Sequence, residues 1–153
     1  MPRTLSPEDF GEPSLRVAGF QLWIHGRQFP DSTDYYDGNW LRVTAHCGAS
    51  GASVWAEGAI LMVTEIESFG QQCHRLLRGD VSIASLDPIE PELHLAINST
   101  DTIGHLQVHV EITSDHLSQR HVMEFEIDQS YLPHVIGECA RIVEEYPVRG
   151  QLP

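Results

Sequence analysis
The chain contains no lysine. All nine of its basic residues are arginines, set against 22 acidic residues, so the formal net charge is −13. A surface of that sign repels phosphate, which disfavours nucleic acid and anionic membranes as partners and favours a basic protein. Cysteine is scarce as well. Cys47, Cys73 and Cys139 are widely spaced and form no CxxC pair, which argues against a structural zinc site or a redox motif. They read as small buried hydrophobes of a reducing compartment. There is no long hydrophobic run: the longest, Ala59 to Val63, is far too short to span a bilayer. The first fourteen residues carry Pro2, Pro7 and Pro13 and no apolar stretch of the kind a secretory signal needs, so the expected location is cytoplasmic.

Catalytic fingerprints are missing too. No GxSxG occurs. The GASGAS stretch at 48–53 lacks the lysine of a phosphate loop and falls between two predicted strands rather than before a helix. Cys73 and His74 are adjacent, but neighbours on a helix point about 100° apart and cannot act as a nucleophile and its base. The loop from Asp31 to Gly38 is acidic, yet its acids recur every third residue and the twelfth position is Arg42, unlike a calcium-binding hand. No catalytic residue, metal or cofactor is expected.

What is present is a set of clean periodic segments. A length of 153 residues suits one domain, expected over 15–150 behind a flexible tail at 1–14, with Phe10 as the one residue able to tack that tail down. Leu15 to Gly26 reads as a first strand, Trp40 to Cys47 as a second and Val54 to Val63 as a third, bulged at Gly58. A helix follows, with Thr64 and Glu67 spaced as a capping box, an apolar stripe of Ile66, Phe69, Cys73, Leu76 and Leu77, and Gly79 as its stop. Gly70 weakens that helix. A short strand over Val81 to Leu86 precedes a proline-rich turn at 87–91. Three alternating strands then carry Leu93/Leu95/Ile97, Leu106/Val108/Val110/Ile112 and Met123/Phe125/Ile127. A terminal helix runs from about Ser130 to Tyr146, with Pro133 in its first turn and Pro147 ending it. These elements predict an α+β fold: a mostly antiparallel sheet of about six to eight strands with two helices, in an order that suggests a repeated strand-strand-strand-helix unit.

The three late strands alternate, so their polar positions share one face: Glu92, His94, His105, Gln107, His109, Glu111, Arg120, Glu124 and Glu126. His105 and His109 point the same way but lie about 13 Å apart on an extended strand. They hold no metal unless His94 or Glu124 joins one of them. The bland reading is a solvated face of cross-strand ion pairs, and it is compatible with an interaction surface.

Gly26 with Gln28-Phe29-Pro30, then Tyr36-Asp37, then Asn39-Trp40-Leu41 leading into a strand, resemble the start of the WapI-type immunity family of bacterial proteins. Leu86-Asp87-Pro88 with Pro91-Glu92-Leu93, and a terminal helix running into Tyr146-Pro147-Val148-Arg149-Gly150, extend the resemblance in the same order to residue 150. The resemblance implies neutralisation of a cognate toxin by direct binding, with no catalysis. Nuclease-type toxins hold phosphate and are often basic, so an acidic inhibitor would be steered to them. The candidate contact residues are Asp31, Asp34, Tyr35, Tyr36 and Asp37 in the acidic-aromatic loop and Glu92, Glu111, Glu124 and Glu126 on the sheet. Phe29, Pro30, Asn39, Trp40 and Leu41 are read as motif residues that hold the fold. The alternative is a self-associating structural or regulatory domain, a homodimer, without a toxin partner.

Overall fold
The computed structural model describes residues 5–153. Eight antiparallel strands form two four-stranded meanders, each followed by a helix. The first sheet is β1 (Leu15–Val17), β2 (Phe20–Arg27), β3 (Trp40–Ala49) and β4 (Ala52–Met62), in that spatial order, and leads into α1 (Val63–Leu77). The second is β5 (Ile83–Leu86), β6 (Leu93–Ser99), β7 (His105–Ile112) and β8 (Val122–Asp128), again in order, and leads into α2 (Leu132–Glu145). The fold is α+β, as the alternation implies. The strands divide between two sheets, and the repeating unit is four strands and a helix rather than three.

The extra strand comes from the segment expected to be one strand over 15–26. Ala18, at φ 54°, and Gly19 turn the chain back on itself, so β1 pairs with β2. Gly19 is obligatory there: a Cβ would stand 2.3 Å from the Gly48 carbonyl oxygen and 2.5 Å from the Phe125 ring. Gly58, at φ 124°, sits where the β3–β4 register slips, which is the bulge its sequence position suggested.

The start of α1 differs from the expectation at Thr64. β4 passes straight into the helix, leaving no loop residue to cap it. The Glu65 carboxylate takes that role, accepting the Met62 N–H at 2.7 Å with one oxygen and the Ile89 N–H at 2.8 Å with the other. Glu67 is thereby left on the helix surface. The apolar stripe falls where predicted, with Ile66, Phe69 and Cys73 fully buried.

The core lies where the inner faces meet. Leu41, Val43, Ala45 and Cys47 of β3 face Leu95, Ile97, Val108 and Val110 of the second sheet, all at most 1% exposed. The two helices pack on each other, and each reaches the first strand of the other half: α1 lies on β5 and α2 on β1. Both strands are sheet edges whose outward N–H groups lack a strand partner. A helix side chain supplies one in each case. Glu138 Oε1 accepts the Arg16 N–H at 2.9 Å, and Gln72 Oε1 accepts the Ser85 N–H at 3.0 Å. The swap ties the two halves into one unit.

Residues 1–4 of the segment expected as a tail lie outside the described residues. Within the remainder, Pro7–Phe10 forms a turn of 3-10 helix against the outer face of the first sheet. Phe10 packs between Trp23 and Trp55 at ring-centroid distances of 5.2 and 5.6 Å, and the Trp23 indole N–H donates to the Gly11 carbonyl at 3.0 Å.

Candidate partner-binding surface
The acidic-aromatic loop between β2 and β3 is held by the end of the chain. Asn39 is fully buried. Its amide donates to the Tyr35 and Arg149 carbonyls, and its Oδ1 accepts the Arg149 N–H at 2.8 Å. The Arg149 guanidinium reaches back to the Pro30 and Ser32 carbonyls at 2.6 and 2.9 Å. Arg27 donates to the Gly38 and Pro147 carbonyls and lies over the Tyr146 ring, 5.9 Å from its centroid. A Cβ on Gly150 would meet the Tyr35 amide nitrogen at 2.7 Å. The segments 26–41 and 146–150, far apart in sequence, therefore form one clamp.

Inside that clamp the expected motif residues separate. Asn39 and Leu41 are fully buried and Trp40 is half-buried, whereas Phe29 is 44% exposed and Pro30 stands at the surface. Asp34 is tied into the loop: its Oδ2 accepts the N–H groups of Tyr36 and Asp37 at 3.0 and 3.1 Å, an Asx turn that shapes the tip. Asp31, Tyr36 and Asp37 present themselves to solvent. Tyr35 is half-buried and packs edge-on against Tyr36, 5.3 Å between ring centroids.

The second candidate surface is the outer face of the second sheet. The register sets His94 opposite Glu111, His109 opposite Glu124 and Gln107 opposite Glu126. Glu111 accepts from Arg120 at 3.1 Å and lies 3.4 Å from His109; the Arg120 guanidinium, with His109, holds its carboxyl below the usual range. His109 lies 3.4 Å from Glu124, and Gln107 donates to the same carboxylate at 3.1 Å. Glu124 and Glu126 are exposed, and Glu92 is half-buried with Oε2 lacking a hydrogen-bond partner. Cross-strand pairing thus organises the face. Among the described residues no three His, Cys, Asp or Glu side chains converge as metal ligands.

The turn between β5 and β6 joins the two surfaces, and its Asp87 is absent from the contact residues expected from the sequence. Asp87 lies 3.1 Å from His94 on the sheet, and His94 and His109 stack edge-on at 6.4 Å. On its other side Asp87 shares a depression of about 390 Å³ with Tyr35 of the loop and with Glu65 and Gln72 of α1. Burial pushes the Glu65 carboxyl above the usual range, and the Asp87 and Glu90 carboxylates add to that. Tyr35 of the loop, Asp87 of the turn and Glu124 of the sheet are thus linked in series by the shared depression and by the His94 and His109 rings. The signal in the sequence was LDPIEPEL, three acids in eight residues.

No helix among the described residues is long and apolar enough to cross a membrane. Residues 14–147 match the model of the immunity protein WapI-like family. No curated protein and no solved structure matches the chain.

Proposed function
The chain belongs to the WapI-like immunity protein family, and from that premise we propose that it neutralises a cognate basic toxin, of the nuclease type, by binding it through the acidic loop and sheet face. The observation that supports this reading is the link through Asp87, which joins the loop at Tyr35 to the sheet at Glu124 by way of His94 and His109. Asp31, Tyr36 and Asp37 of the loop and Glu124 and Glu126 of the sheet are exposed. The net charge of −13 would speed encounter with a basic groove and occlude it against phosphate. Tyr35 and Tyr36 supply the amphipathic anchors that interface centres favour. The inhibitor works by occupancy in the cytoplasm and performs no chemical step itself.

The test is co-expression with the basic polypeptide encoded beside this chain, followed by titration of the purified pair at two salt concentrations. Protection of growth is expected, together with binding that weakens as salt rises. Asp37→Lys combined with Glu124→Lys and Glu126→Lys should weaken binding about a hundredfold, roughly 1 kcal/mol for each reversed surface charge, at unchanged melting temperature. Absence of protection overturns the function. Unchanged affinity in the triple variant overturns the surface. Asp34 is left intact in this test because its carboxylate builds the loop.

A further inference from the structure
α1 and α2 cross at Gly70, where a Cβ would stand 2.8 Å from the Cys139 Cβ. So close an approach leaves an open groove of about 620 Å³ on the outer side of the helix pair. One wall is apolar, with Ile136, Ala140 and Val143 one helical turn apart on α2. The other wall is a row on α1 at four-residue spacing: Glu67, Gln71 and Arg75. Arg78, Arg120 and Arg141 each hold a carboxylate of the chain. Among the described residues Glu67 and Arg75 have no such partner, and about 12 Å of helix separates them.

That row is self-complementary. A two-fold axis through Gln71 lays α1 antiparallel on a second α1. It sets each Glu67 against the other copy's Arg75, and the two Gln71 amides against each other. The apolar walls from α2 then flank the contact on both sides. We propose that this groove is the seat of a second copy of the chain, docked antiparallel about Gln71 to give an isologous dimer. The acidic loop and sheet face do not use Glu67, Gln71 or Arg75, so this proposal stands apart from toxin binding.

Sedimentation equilibrium of the full chain tests it. The wild type is expected at twice 17.1 kDa. Glu67→Arg and Arg75→Glu each place like charges face to face and should weaken the dimer roughly tenfold. Mixed one to one, the two variants should restore it, because the Arg/Arg row of one copy then meets the Glu/Glu row of the other. Ala140→Arg, at an exposed position in the groove, should give a folded monomer whose melting temperature no longer depends on protein concentration. A monomeric wild type, or single variants that dimerise as well as the wild type, overturns the proposal. So does loss of toxin binding in Ala140→Arg from a monomeric wild type, which would assign the groove to the toxin.

Discussion

Asn39 and Arg149, 110 residues apart, exchange hydrogen bonds in both directions: the Asn39 amide donates to the Arg149 carbonyl at 2.9 Å and its Oδ1 accepts the Arg149 N–H at 2.8 Å. The asparagine thus acts as a backbone partner for a terminal segment that belongs to no sheet. Without it, a part-buried N–H and two carbonyls lose their partners, which costs about 2–3 kcal/mol. Asn39→Ala should lower stability by that amount in urea unfolding. Asn39→Asp should be equally damaging, because it turns a carboxylate onto the Tyr35 and Arg149 carbonyls. A benign Asp variant would show that Asn39 only fills space. In both variants proteolysis should begin within 30–38, where Arg149 no longer grips the Pro30 and Ser32 carbonyls.

The two helical glycines should respond oppositely to alanine. Gly137 on α2 has nothing within 4 Å of where a Cβ would stand, so Gly137→Ala should stabilise the protein by about 1 kcal/mol through helix propensity alone. Gly70 faces the Cys139 Cβ at 2.8 Å. Its alanine variant gains the same propensity but must push the helices apart, and a net loss of about 1–2 kcal/mol should remain. Thermal unfolding of the two variants side by side checks this. A stabilised Gly70→Ala would mean that the helices slide without penalty.

The contrast between those glycines also shows what could be read from the sequence. The strands β6, β7 and β8 were legible because each alternates apolar with polar, and one of their faces is solvated. Glu111, Glu124 and Glu126 follow that alternation, whereas Glu92 lies in the turn before β6 with one carboxylate oxygen buried. The β1–β2 hairpin was not legible, since its two-residue turn includes an alanine at positive φ, which leaves no compositional mark. Alternation along Trp40 to Cys47 puts Thr44 and His46 on the polar side of β3, yet they are 4% and 6% exposed. Part of their cover is Phe10, which packs on Trp23 of β2 and Trp55 of β4 from a segment whose prolines suggest a free tail. The clamp at Asn39 was visible as a motif at both ends of the chain. Its meaning depends on contacts across 110 residues, which no local pattern carries.

Thiol chemistry offers a third check. Cys47, Cys73 and Cys139 are buried and free. Burial pushes the Cys47 thiol up to about 11, Cys139 up to about 12 and Cys73 further still. A thiol reacts as its thiolate, so all three should be inert to a disulfide reagent at pH 8 in the folded protein. Unfolding in denaturant should release three equivalents together. One thiol reacting in the native state would reveal local opening of the element that covers it.

The pH dependence of stability should carry the signature of His46. Its ring lies 4.4 Å from Trp55, centroid to centroid, and both nitrogens are engaged: Nδ1 with Gln21 Oε1 at 3.0 Å and Nε2 with the Ser53 hydroxyl at 2.8 Å. An amide oxygen only accepts, so Nδ1 carries the proton and Nε2 takes the hydroxyl hydrogen, which is the neutral imidazole. Burial lowers the His46 pKa below the ordinary 6.5, and the Glu8 carboxylate only partly opposes this. The unfolded chain then binds the proton first as pH falls. The stabilisation is complete above about 6.5 and is lost as pH drops through that value towards the folded one. The carboxyls of Asp101 and Glu111, held low in the fold, act in a separate window. Their contribution is present above the ordinary carboxylate range and fades only as pH falls below it. Melting temperature should therefore begin to fall between pH 7 and 5.5, before the carboxylates titrate. His46→Gln keeps an amide donor and acceptor but cannot ionise, and should flatten that first segment while leaving the acid limb in place. Parallel curves for wild type and His46→Gln over pH 7 to 5.5 would assign the loss to another group.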